Sequence, residues 1–420
     1  MQTPASDPSP RLLRSILRRT SLRCAVALIA IVGAAATASA QSAPPGSSKE
    51  IVQSLQPFVE AESLAGAVAL VASKDNVLSL DAVGYADVAA KKPMQTNDLF
   101  WIASMSKAMT ASALMMLVDE GKVHVDDPVE KYLPDFHGQM VVAEQDPDHE
   151  LLKKAVHPIT VKNVLTHTSG LPFMSRAEHK IDQLTLHEAA ISYALTSLRF
   201  QPDSKWDYSN AGINTAGRIV EVVSGMPYEE FMDKRLFQPL GMKDTTFWPN
   251  EEQLSRLAKS YKAGPHKKGL VETDISQLSY PLSDRHRGPS PAGGLFSTAT
   301  DVSLFCRMLL GGGTFDGKRY LSEASVRQMT STQDDDLQSH GHGENGYGFG
   351  LSTTRKMHGP QDPPIVGPFG HGGAYATDMW IDPEQGLVTV FMVQSAGFPG
   401  NGGQALPSFK QAAFKTFGKK

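Results

Sequence analysis

Ser104-Met105-Ser106-Lys107 stands at the head of a long apolar segment, Met105–Glu120, which stops at Gly121. Alanine, leucine, methionine and valine occupy most of the circumference of the helix that this segment predicts. A helix that is apolar on nearly all sides belongs inside the protein, and a glycine just past the last turn is a common helix stop. The sequence therefore predicts a buried central helix with a serine and a lysine at its start.

Ser104 and Lys107 carry the first chemical prediction. Residues three apart share a helix face, so the lysine amine can reach the serine hydroxyl, which is a weak nucleophile without such help. The helix N-terminus also favours negative charge that develops at the serine. Ser-x-x-Lys occurs once in the chain. We predict that Ser104 is a nucleophile activated by Lys107; an ordinary helix start is the alternative.

Tyr208-Ser209-Asn210 is the second candidate. In an extended segment, residues two apart point the same way, so Tyr208 and Asn210 could face one cleft. A phenol beside an ammonium can shuttle a proton, and an amide can orient a lysine or hold a substrate carbonyl. A tyrosine packed in a turn is the alternative.

His371-Gly372-Gly373-Ala374 is the third candidate and precedes a predicted strand. Two glycines allow a substrate to approach the strand backbone closely. An N–H group from this strand could complete an oxyanion hole with the Ser104 N–H. A glycine-rich turn without function is the alternative.

Strands are predicted near both ends of the chain and helices between them. Ala65–Ala72 and Val77–Ala82 form one predicted hairpin, and Tyr375–Ile381 and Leu387–Val393 form another. This order predicts an α+β fold whose sheet combines distant parts of the chain. Further helices are predicted at residues 50–61, 161–166, 213–224 and 228–236, and loops or insertions at 137–158, 262–290 and 332–346.

Residues 1–40 are typical of a signal peptide. Five arginines precede the apolar run Cys24–Ala36, and Ala38-Ser39-Ala40 has the small residues of a cleavage site. The run is shorter than the roughly 18 residues that favour a spanning helix, which leaves an uncleaved anchor as the alternative. We predict an exported, periplasmic or secreted protein with a leader at 41–49 and no stable membrane insertion after cleavage.

Composition limits the possible partners. The chain has 420 residues with 41% hydrophobic and 20% charged side chains, ordinary values for a globular protein. Without residues 1–40, 35 basic and 43 acidic side chains remain, for a net charge of −8, which argues against nucleic acid as a partner.

Cys306 lies in an apolar stretch and is predicted to be core. His340-Gly341-His342 lacks further ligands at a recognised spacing, so no metal and no cofactor are predicted.

Taken in order, Ser-x-x-Lys, Tyr-x-Asn and His-Gly-Gly resemble the motifs of the penicillin-recognising serine hydrolases of the class C β-lactamase type. That group includes DD-peptidases, D-aminopeptidases and family VIII carboxylesterases. The resemblance covers roughly residues 50–415. Secondary stretches also match: Val164–Pro172, Phe237–Met242, Pro291–Thr298 and Tyr347–Gly350.

The resemblance implies one domain over residues 50–415, with an antiparallel sheet flanked by helices (about 50–135 and 290–415) beside a mostly helical or inserted part (about 136–289). The site would lie between the two parts. The implied roles are as follows: Ser104 as nucleophile, Lys107 as its base or base partner, Tyr208 as proton shuttle, Asn210, His371, Gly372 and Gly373 as substrate-binding residues, and the N–H groups of Ser104 and Ala374 as oxyanion hole. Whether Lys107 or Tyr208 takes the first proton stays open.

His371 stands where the β-lactamases of this type carry the lysine of Lys-Thr-Gly, and no hydroxyl residue follows it. A fixed cation suits an anionic substrate carboxylate, whereas a histidine is mostly neutral near pH 7. We therefore expect an exported serine hydrolase that cleaves an ester or amide through an acyl-enzyme on Ser104, of the esterase or D-amino-acid peptidase type. Its substrates would be small-molecule esters, peptides (cell-wall peptides among them) or β-lactams. A β-lactamase and a non-catalytic cell-wall peptide-binding relative are the alternatives, and residues 138–157 could shape substrate choice.

Overall fold

Two apolar segments from opposite ends of the chain pair at the centre of the main sheet. In the computed structural model, which describes residues 46–334, 337, 345–354 and 367–419, Gly66–Ala72 pairs antiparallel with both Val77–Asp87 and Leu387–Met392. The two predicted hairpins are therefore confirmed, and they are joined through their inner strands. The predicted signal peptide, residues 41–45 of the predicted leader and His340-Gly341-His342 lie outside the described residues.

The described strands form one large sheet and four small ones. The strands are β1 Gly66–Ala72, β2 Val77–Asp87, β3 Lys92–Pro93, β4 Phe100–Trp101, β5 Met140–Gln145, β6 Glu150–Lys154, β7 Ser260–Ala263, β8 Leu270–Thr273, β9 Phe296–Ser297, β10 Thr314–Phe315, β11 Lys318–Arg319, β12 Asn345–Tyr347, β13 Ser352–Thr354, β14 Phe369–Gly372, β15 Asp378–Asp382, β16 Leu387–Met392 and β17 Ser395–Gly397. The large sheet has eight antiparallel strands in the order β12-β13-β14-β15-β16-β1-β2-β3.

Helices fill the middle of the chain and cover the sheet. They are α1 Lys49–Glu60, α2 Ser106–Asp119, α3 Val161–Thr166, α4 Leu186–Ala194, α5 Asn210–Ser224, α6 Tyr228–Met232, α7 Gln238–Leu240, α8 Glu251–Ser255, α9 Ala299–Leu310, α10 Glu323–Thr330 and α11 Ala405–Phe417. Local signals explain several ends: the Thr160 side chain caps α3 as predicted, and Gly225, with φ of 69°, ends α5. The predicted α+β class is confirmed.

β1 is buried on both faces and separates two apolar cores. Its side chains alternate, so Val68 and Leu70 join the larger core with α2, α5 and α9, whereas Ala69 and Val71 face the smaller core beneath α1 and α11. From its first residue to Leu117, α2 is buried on all sides, as its composition predicts. The start of α2 is thereby held rigidly inside the larger core.

Three loop predictions need correction. Residues 137–158 contain the β5–β6 hairpin; every residue of β6 is exposed, so no apolar alternation marks it, and backbone bonds of Met140 and Val142 to Leu198 attach it to the body. Residues 262–290 include the end of β7 and all of β8, which gain a third strand from distant β17. Residues 345–346, at the end of the third loop, belong to β12, while 335–336 and 338–344 lie outside the described residues.

The described helices include no candidate membrane span. None of them is both long enough and apolar enough to cross a bilayer. The apolar run Cys24–Ala36 lies outside the described residues, so the predicted signal peptide stays a prediction.

Candidate active site

Ser104 lies where β4 turns into α2. Ala103, directly before it, has φ of 46°, a left-handed conformation that costs energy for a residue with a side chain and is concentrated at functional sites. Ala103–Met105 form a single 3₁₀ turn that leads into α2. Ser104 is partly exposed, whereas both of its neighbours are buried. The turn therefore presents one hydroxyl from an otherwise buried segment.

Lys107 is fully buried on the first turn of α2. Its Nζ lies 3.1 Å from Ser104 Oγ, 2.8 Å from Asn210 Oδ1 and 2.7 Å from the carbonyl oxygen of Ala292. Removal from water lowers the pKa of this amine well below its ordinary value of 10.5. Among the described residues, no carboxylate pairs with it to offset that effect. Lys107 therefore loses its proton more readily than a lysine in water.

The three contacts of Lys107 match the bonding capacity of a neutral amine. Such an amine has two N–H donors and one lone pair. The oxygens of Asn210 and Ala292 can only accept hydrogen bonds, so they take both N–H groups. The lone pair is left for the remaining neighbour, the hydroxyl of Ser104. In this neutral form the Ser104 hydroxyl donates to the amine, whereas in the ammonium form the amine donates to all three oxygens.

Tyr208 completes the set of polar groups around Ser104. Its phenol lies beside the Ser104 side chain, whose hydrogen-bonding influence acts to lower the phenol pKa, and Lys107 Nζ lies 4.6 Å from the centre of its ring. Burial raises the pKa of the phenol above its ordinary value of 10.0, although the Ser104 hydrogen bond acts in the opposite direction. The ring packs against His167, with ring centres 4.5 Å apart, and stacks on Phe173 at 6.3 Å. Tyr208 is therefore held as a protonated phenol beside Ser104.

Tyr208 and Asn210 reach the site from a helix start. Ser209 has extended φ and ψ angles, as predicted, but its Oγ accepts a hydrogen bond from the Gly212 N–H at 2.9 Å and caps α5. Asn210 is the first residue of α5, so the prediction that it lies in an extended segment is wrong. Both side chains nevertheless converge on Lys107. The packing of α5 against α2 brings the two side chains to Lys107. The alternation of side chains along a strand is not the cause.

His371-Gly372-Gly373-Ala374 ends one strand instead of beginning the next. His371 and Gly372 close β14, and a tight turn leads to β15, in which the Gly373 N–H donates to the Thr377 carbonyl at 2.7 Å. A Cβ on Gly373 would lie 2.6 Å from the carbonyl oxygen of Ile102, so only glycine allows this turn to lie against the segment before Ser104. The motif is thereby brought next to the nucleophile.

The backbone N–H groups of Ser104, in the 3₁₀ turn, and of Ala374, in the turn after β14, donate no hydrogen bond to the described turns and loops. Ala374 is exposed and Ser104 is partly exposed. Both groups are thus open to an incoming carbonyl oxygen, as the predicted oxyanion hole requires.

The imidazole of His371 is buried and contacts two groups of the protein. Nδ1 lies 2.7 Å from the Gly372 carbonyl oxygen, and Nε2 lies 3.1 Å from the Tyr347 hydroxyl. A carbonyl oxygen only accepts, so Nδ1 must carry a proton. Nε2 hydrogen-bonds with the Tyr347 hydroxyl, which can donate or accept and whose pKa is raised well above its ordinary value by burial. Both ring nitrogens are thus engaged within the protein.

Ala292 and Tyr347 are site residues to which sequence reasoning assigned no role. Ala292 contributes only its backbone carbonyl, which no side-chain pattern reveals. Tyr347 acts through His371, 24 residues further along the chain. Both lie in stretches that resemble the family, and that resemblance is the one signal that could have drawn attention to them.

The β5–β6 hairpin, the segment between α3 and α4, and the segment between α4 and α5 line a groove of about 430 Å³. Pro172 and Met174 line this groove, while Phe173 between them stacks on Tyr208. The hairpin contributes Val142, Gln145 and Glu150. Residues 138–157, predicted as an insertion near the cleft, are thus separated from Tyr208 by a single stretch of chain.

Metal-binding side chains are not gathered anywhere in the described part of the chain: no three histidine, cysteine, aspartate or glutamate residues there are arranged to hold an ion. Cys306 is fully buried in the larger core, as predicted, and burial raises its pKa. The described polar groups around Ser104 are therefore a hydroxyl, an amine, a phenol, an amide and backbone groups.

Comparison with known proteins places the whole folded region in one family. The sequence model of the Beta-lactamase family matches residues 51–412. An uncharacterized protein of Mycobacterium tuberculosis is 33% identical over 363 residues, which cover 81% of this chain and 88% of the relative. Esterase EstB of Burkholderia gladioli is 27% identical over 379 residues, which cover 84% of this chain and 91% of the esterase.

A solved structure confirms the fold. EstCE1, described as a hydrolase with promiscuous acyltransferase activity, superimposes with a TM-score of 0.71 at 23% identity, over 87% of this chain and 98% of that one. At this identity the likeness concerns the arrangement of the elements alone.

Proposed function

The chain belongs to the beta-lactamase family of serine hydrolases, and we propose that it is an exported esterase that forms an acyl-enzyme on Ser104. The observation that carries this proposal is the set of contacts of Lys107, whose buried amine has a lowered pKa and lies within hydrogen-bonding distance of Ser104, Asn210 and Ala292. Esterase EstB, a relative along most of the chain, supports the choice of an ester.

Acylation follows from the protonation states at the site. Lys107 takes the proton of Ser104 as Oγ attacks the ester carbonyl carbon, and the carbonyl oxygen becomes an oxyanion between the N–H groups of Ser104 and Ala374. The ester C–O bond then breaks. Tyr208 gives its proton to the departing alkoxide and regains one from the Lys107 ammonium. The alcohol leaves, and the acyl group stays on Ser104.

Deacylation uses the same groups in the opposite sense. A water molecule attacks the acyl carbon and transfers a proton to Lys107, and the oxyanion again lies between the two N–H groups. Ser104 Oγ leaves and recovers a proton from Lys107. The products are a carboxylic acid and the free enzyme.

His371 supports a preference for neutral esters over β-lactams and D-amino-acid peptides. Those other substrates carry a carboxylate near the scissile bond, and a cation at this position would bind it. Here Nδ1 donates to the Gly372 carbonyl and Nε2 contacts the Tyr347 hydroxyl, so both ring nitrogens are already engaged within the protein. A D-amino-acid peptidase, a β-lactamase and a non-catalytic binder of cell-wall peptides are the competing functions, and His371 argues against the first two.

Labelling and a side-by-side rate comparison test the proposal. A fluorophosphonate should add its mass to the Ser104 peptide, and rates on a short-chain nitrophenyl ester should exceed those on a chromogenic cephalosporin and a D-Ala-D-Ala peptide. Ser104→Ala should abolish both labelling and hydrolysis. Undiminished hydrolysis by Ser104→Ala would falsify the acyl-serine, whereas the highest rate on the peptide would replace the esterase with a peptidase. Tight peptide binding without turnover would favour the binder.

Export is a separate part of the proposal and rests on residues 1–40. Their arginine-rich start, short apolar run and small-residue end are typical of a cleaved signal. Expression in a bacterium followed by fractionation and N-terminal sequencing should give a periplasmic or secreted protein that begins at Gln41. A cytoplasmic protein that keeps residues 1–40 would contradict export.

A further inference from the structure

One face of α5 carries two asparagines that both lead to Lys107. Asn210 and Asn214 are one helical turn apart, so their side chains lie on the same face. Asn210 Oδ1 contacts Lys107 Nζ directly. Asn214 Oδ1 instead accepts the N–H of Ala292 at 3.0 Å, and the carbonyl of Ala292 accepts from Lys107 Nζ at 2.7 Å. The lysine amine is thus bound to α5 twice, once directly and once through Ala292.

The segment that contains Ala292 lies close against α5. Gly217, seven residues after Asn210 on the same face, is so near Pro291 that a Cβ there would lie 2.3 Å from Pro291 Cγ. Thr110 Oγ1 on α2 donates to the Pro291 carbonyl at 2.7 Å. Neighbouring backbone groups are therefore held by α5 and by α2, the helix that carries Lys107.

The orientation of the Asn214 amide is determined at both ends. The Ala292 N–H can only donate, so Asn214 presents its oxygen to it, and its Nδ2 then donates to the Tyr193 hydroxyl at 2.9 Å. Tyr193 donates in turn to Glu178 Oε1 at 2.7 Å. Asn214, Tyr193 and Glu178 are all buried. A continuous chain of hydrogen bonds without donor conflicts therefore runs from Glu178 to the catalytic amine.

We propose that Asn214 is a positioning residue for Lys107, that it acts through the backbone of Ala292, and that Tyr193 and Glu178 hold its amide in the required orientation. The inference rests on the proposed roles of Ser104 and Lys107. A catalytic group must be held within about 0.5 Å of its productive position by such supporting contacts. Without the Asn214 contact, the Ala292 carbonyl is free to move, and the lone pair of Lys107 no longer points reliably at Ser104.

Asn214→Ala tests this role in the full-length mature protein. We expect the acylation rate constant with a fluorophosphonate, and kcat on a nitrophenyl ester, to fall roughly 10- to 100-fold, the range for a misplaced catalytic group, with KM little changed. The polar space left behind Ala292 admits water, which relieves the desolvation of Lys107. The acid limb of the kcat/KM profile should therefore move to higher pH. Tyr193→Phe leaves the contact between Asn214 and Ala292 in place. It should therefore lower the acylation rate constant and raise the pH of the acid limb less than Asn214→Ala does.

Asn163→Ala is the matched control. Asn163 is also a fully buried asparagine with hydrogen bonds at both ends of its amide, to Thr160 and Thr168, but none of these reaches Lys107. It should lower the free energy of unfolding without moving the acid limb. The proposal would be overturned if both Asn214→Ala and Tyr193→Phe kept the wild-type acylation rate constant and the wild-type acid limb of the kcat/KM profile. It would also be overturned if Asn163→Ala lowered the acylation rate constant as much as Asn214→Ala does. Ser104→Ala, run in parallel, tells this failure apart from failure of the acyl-serine itself, because only the latter leaves Ser104→Ala active.

Discussion

At the scale of single residues, the site depends on a lysine that is buried without a described counter-charge. Ordinary buried cations are paired with carboxylates, because an unpaired charge in a core is costly. Burial lowers the pKa of Lys107, so its amine gives up its charge more readily than a lysine in water, while Asn210 and Ala292 fix its position. Tyr208 shows the opposite response: burial preserves its proton. The structure thus separates a proton acceptor from a proton donor on either side of one hydroxyl, which favours Lys107 for the first proton transfer.

The lowered pKa of Lys107 predicts how stability depends on pH. Between the lowered pKa in the folded state and about 10.5 in the unfolded chain, the unfolded state binds one more proton, so stability should rise with pH. Relative to Lys107→Met, which does not titrate, wild type should gain up to about 1.4 kcal/mol of unfolding free energy per pH unit in that window. Denaturant unfolding of both proteins between about pH 6 and pH 9 measures this. A constant difference would mean that Lys107 stays charged when folded.

His371 predicts a change of substrate preference. His371→Lys should raise the ratio of kcat/KM for a cephalosporin to that for a neutral ester by roughly 10- to 100-fold, because a hydrogen bond to a charged group contributes about 1.5–3 kcal/mol. His371→Gln, polar but uncharged, is the control and should leave the ratio near that of wild type. Equal shifts in both variants would show that charge at this position does not select the substrate.

At the scale of elements, the positions of the catalytic groups follow from how buried or exposed each element is. α2 is buried along most of its length, so the turn that leads into it and its own first turn hold the proposed nucleophile and base in place. The β5–β6 hairpin is the opposite case, since β6 is exposed throughout and few backbone bonds attach it. An exposed hairpin of this kind can change in sequence and length without loss of the fold.

Shortening the β5–β6 hairpin should separate binding from folding. Replacing residues 144–151 by Asn-Gly removes Gln145 and Glu150 from the groove beside Phe173. We expect little change in Tm because the removed residues are exposed, unchanged kcat/KM on a short-chain ester, and about a fivefold higher KM on a bulky ester, equivalent to about 1 kcal/mol of lost contacts.

An equivalent change at Asp316-Gly317, in the turn between β10 and β11, is the control, because that hairpin adds no side chain to the groove. If the β5–β6 replacement changes KM equally for bulky and short esters, the groove takes no part in substrate binding.

At the scale of the whole molecule, the sheet joins the two ends of the folded region. α1 and α11, the first and last described helices, pack against each other and cover the face of β1 and β16 opposite the larger core. Phe409 of α11 is fully buried and stacks on Phe391 of β16, with ring centres 5.7 Å apart. The end of the chain is therefore part of the fold and lies on the face away from Lys107.

Phe409→Ala should lower stability without changing the chemistry. Removal of a fully buried phenylalanine costs about 3–5 kcal/mol, so the unfolding midpoint in denaturant should fall, while kcat of the folded protein stays near that of wild type. Phe417→Ala, at the partly buried end of the same helix, should cost clearly less. A large fall in kcat for Phe409→Ala at low temperature would mean that α11 communicates with the site.

Particular elements show where sequence reasoning succeeded. The buried helix after Ser104, both hairpins of the large sheet, the Thr160 cap and the Gly225 stop are all local signals of composition, period or capping, and the structure has them. The β5–β6 hairpin was missed because β6 has no buried face. Asn210 was assigned to a strand because the cap at Ser209 was not recognised.

The sequence by itself determined which residue types are available for the chemistry, the α+β class and the family, because these depend on local period and on the order of motifs. Only the tertiary structure decided that Lys107 is desolvated beside Ser104, that Ala292 accepts from its amine and is itself bound by Asn214, and that Tyr347 contacts His371. These properties arise from contacts between residues far apart in the chain, and burial and hydrogen-bond direction exist only once those residues have been packed together.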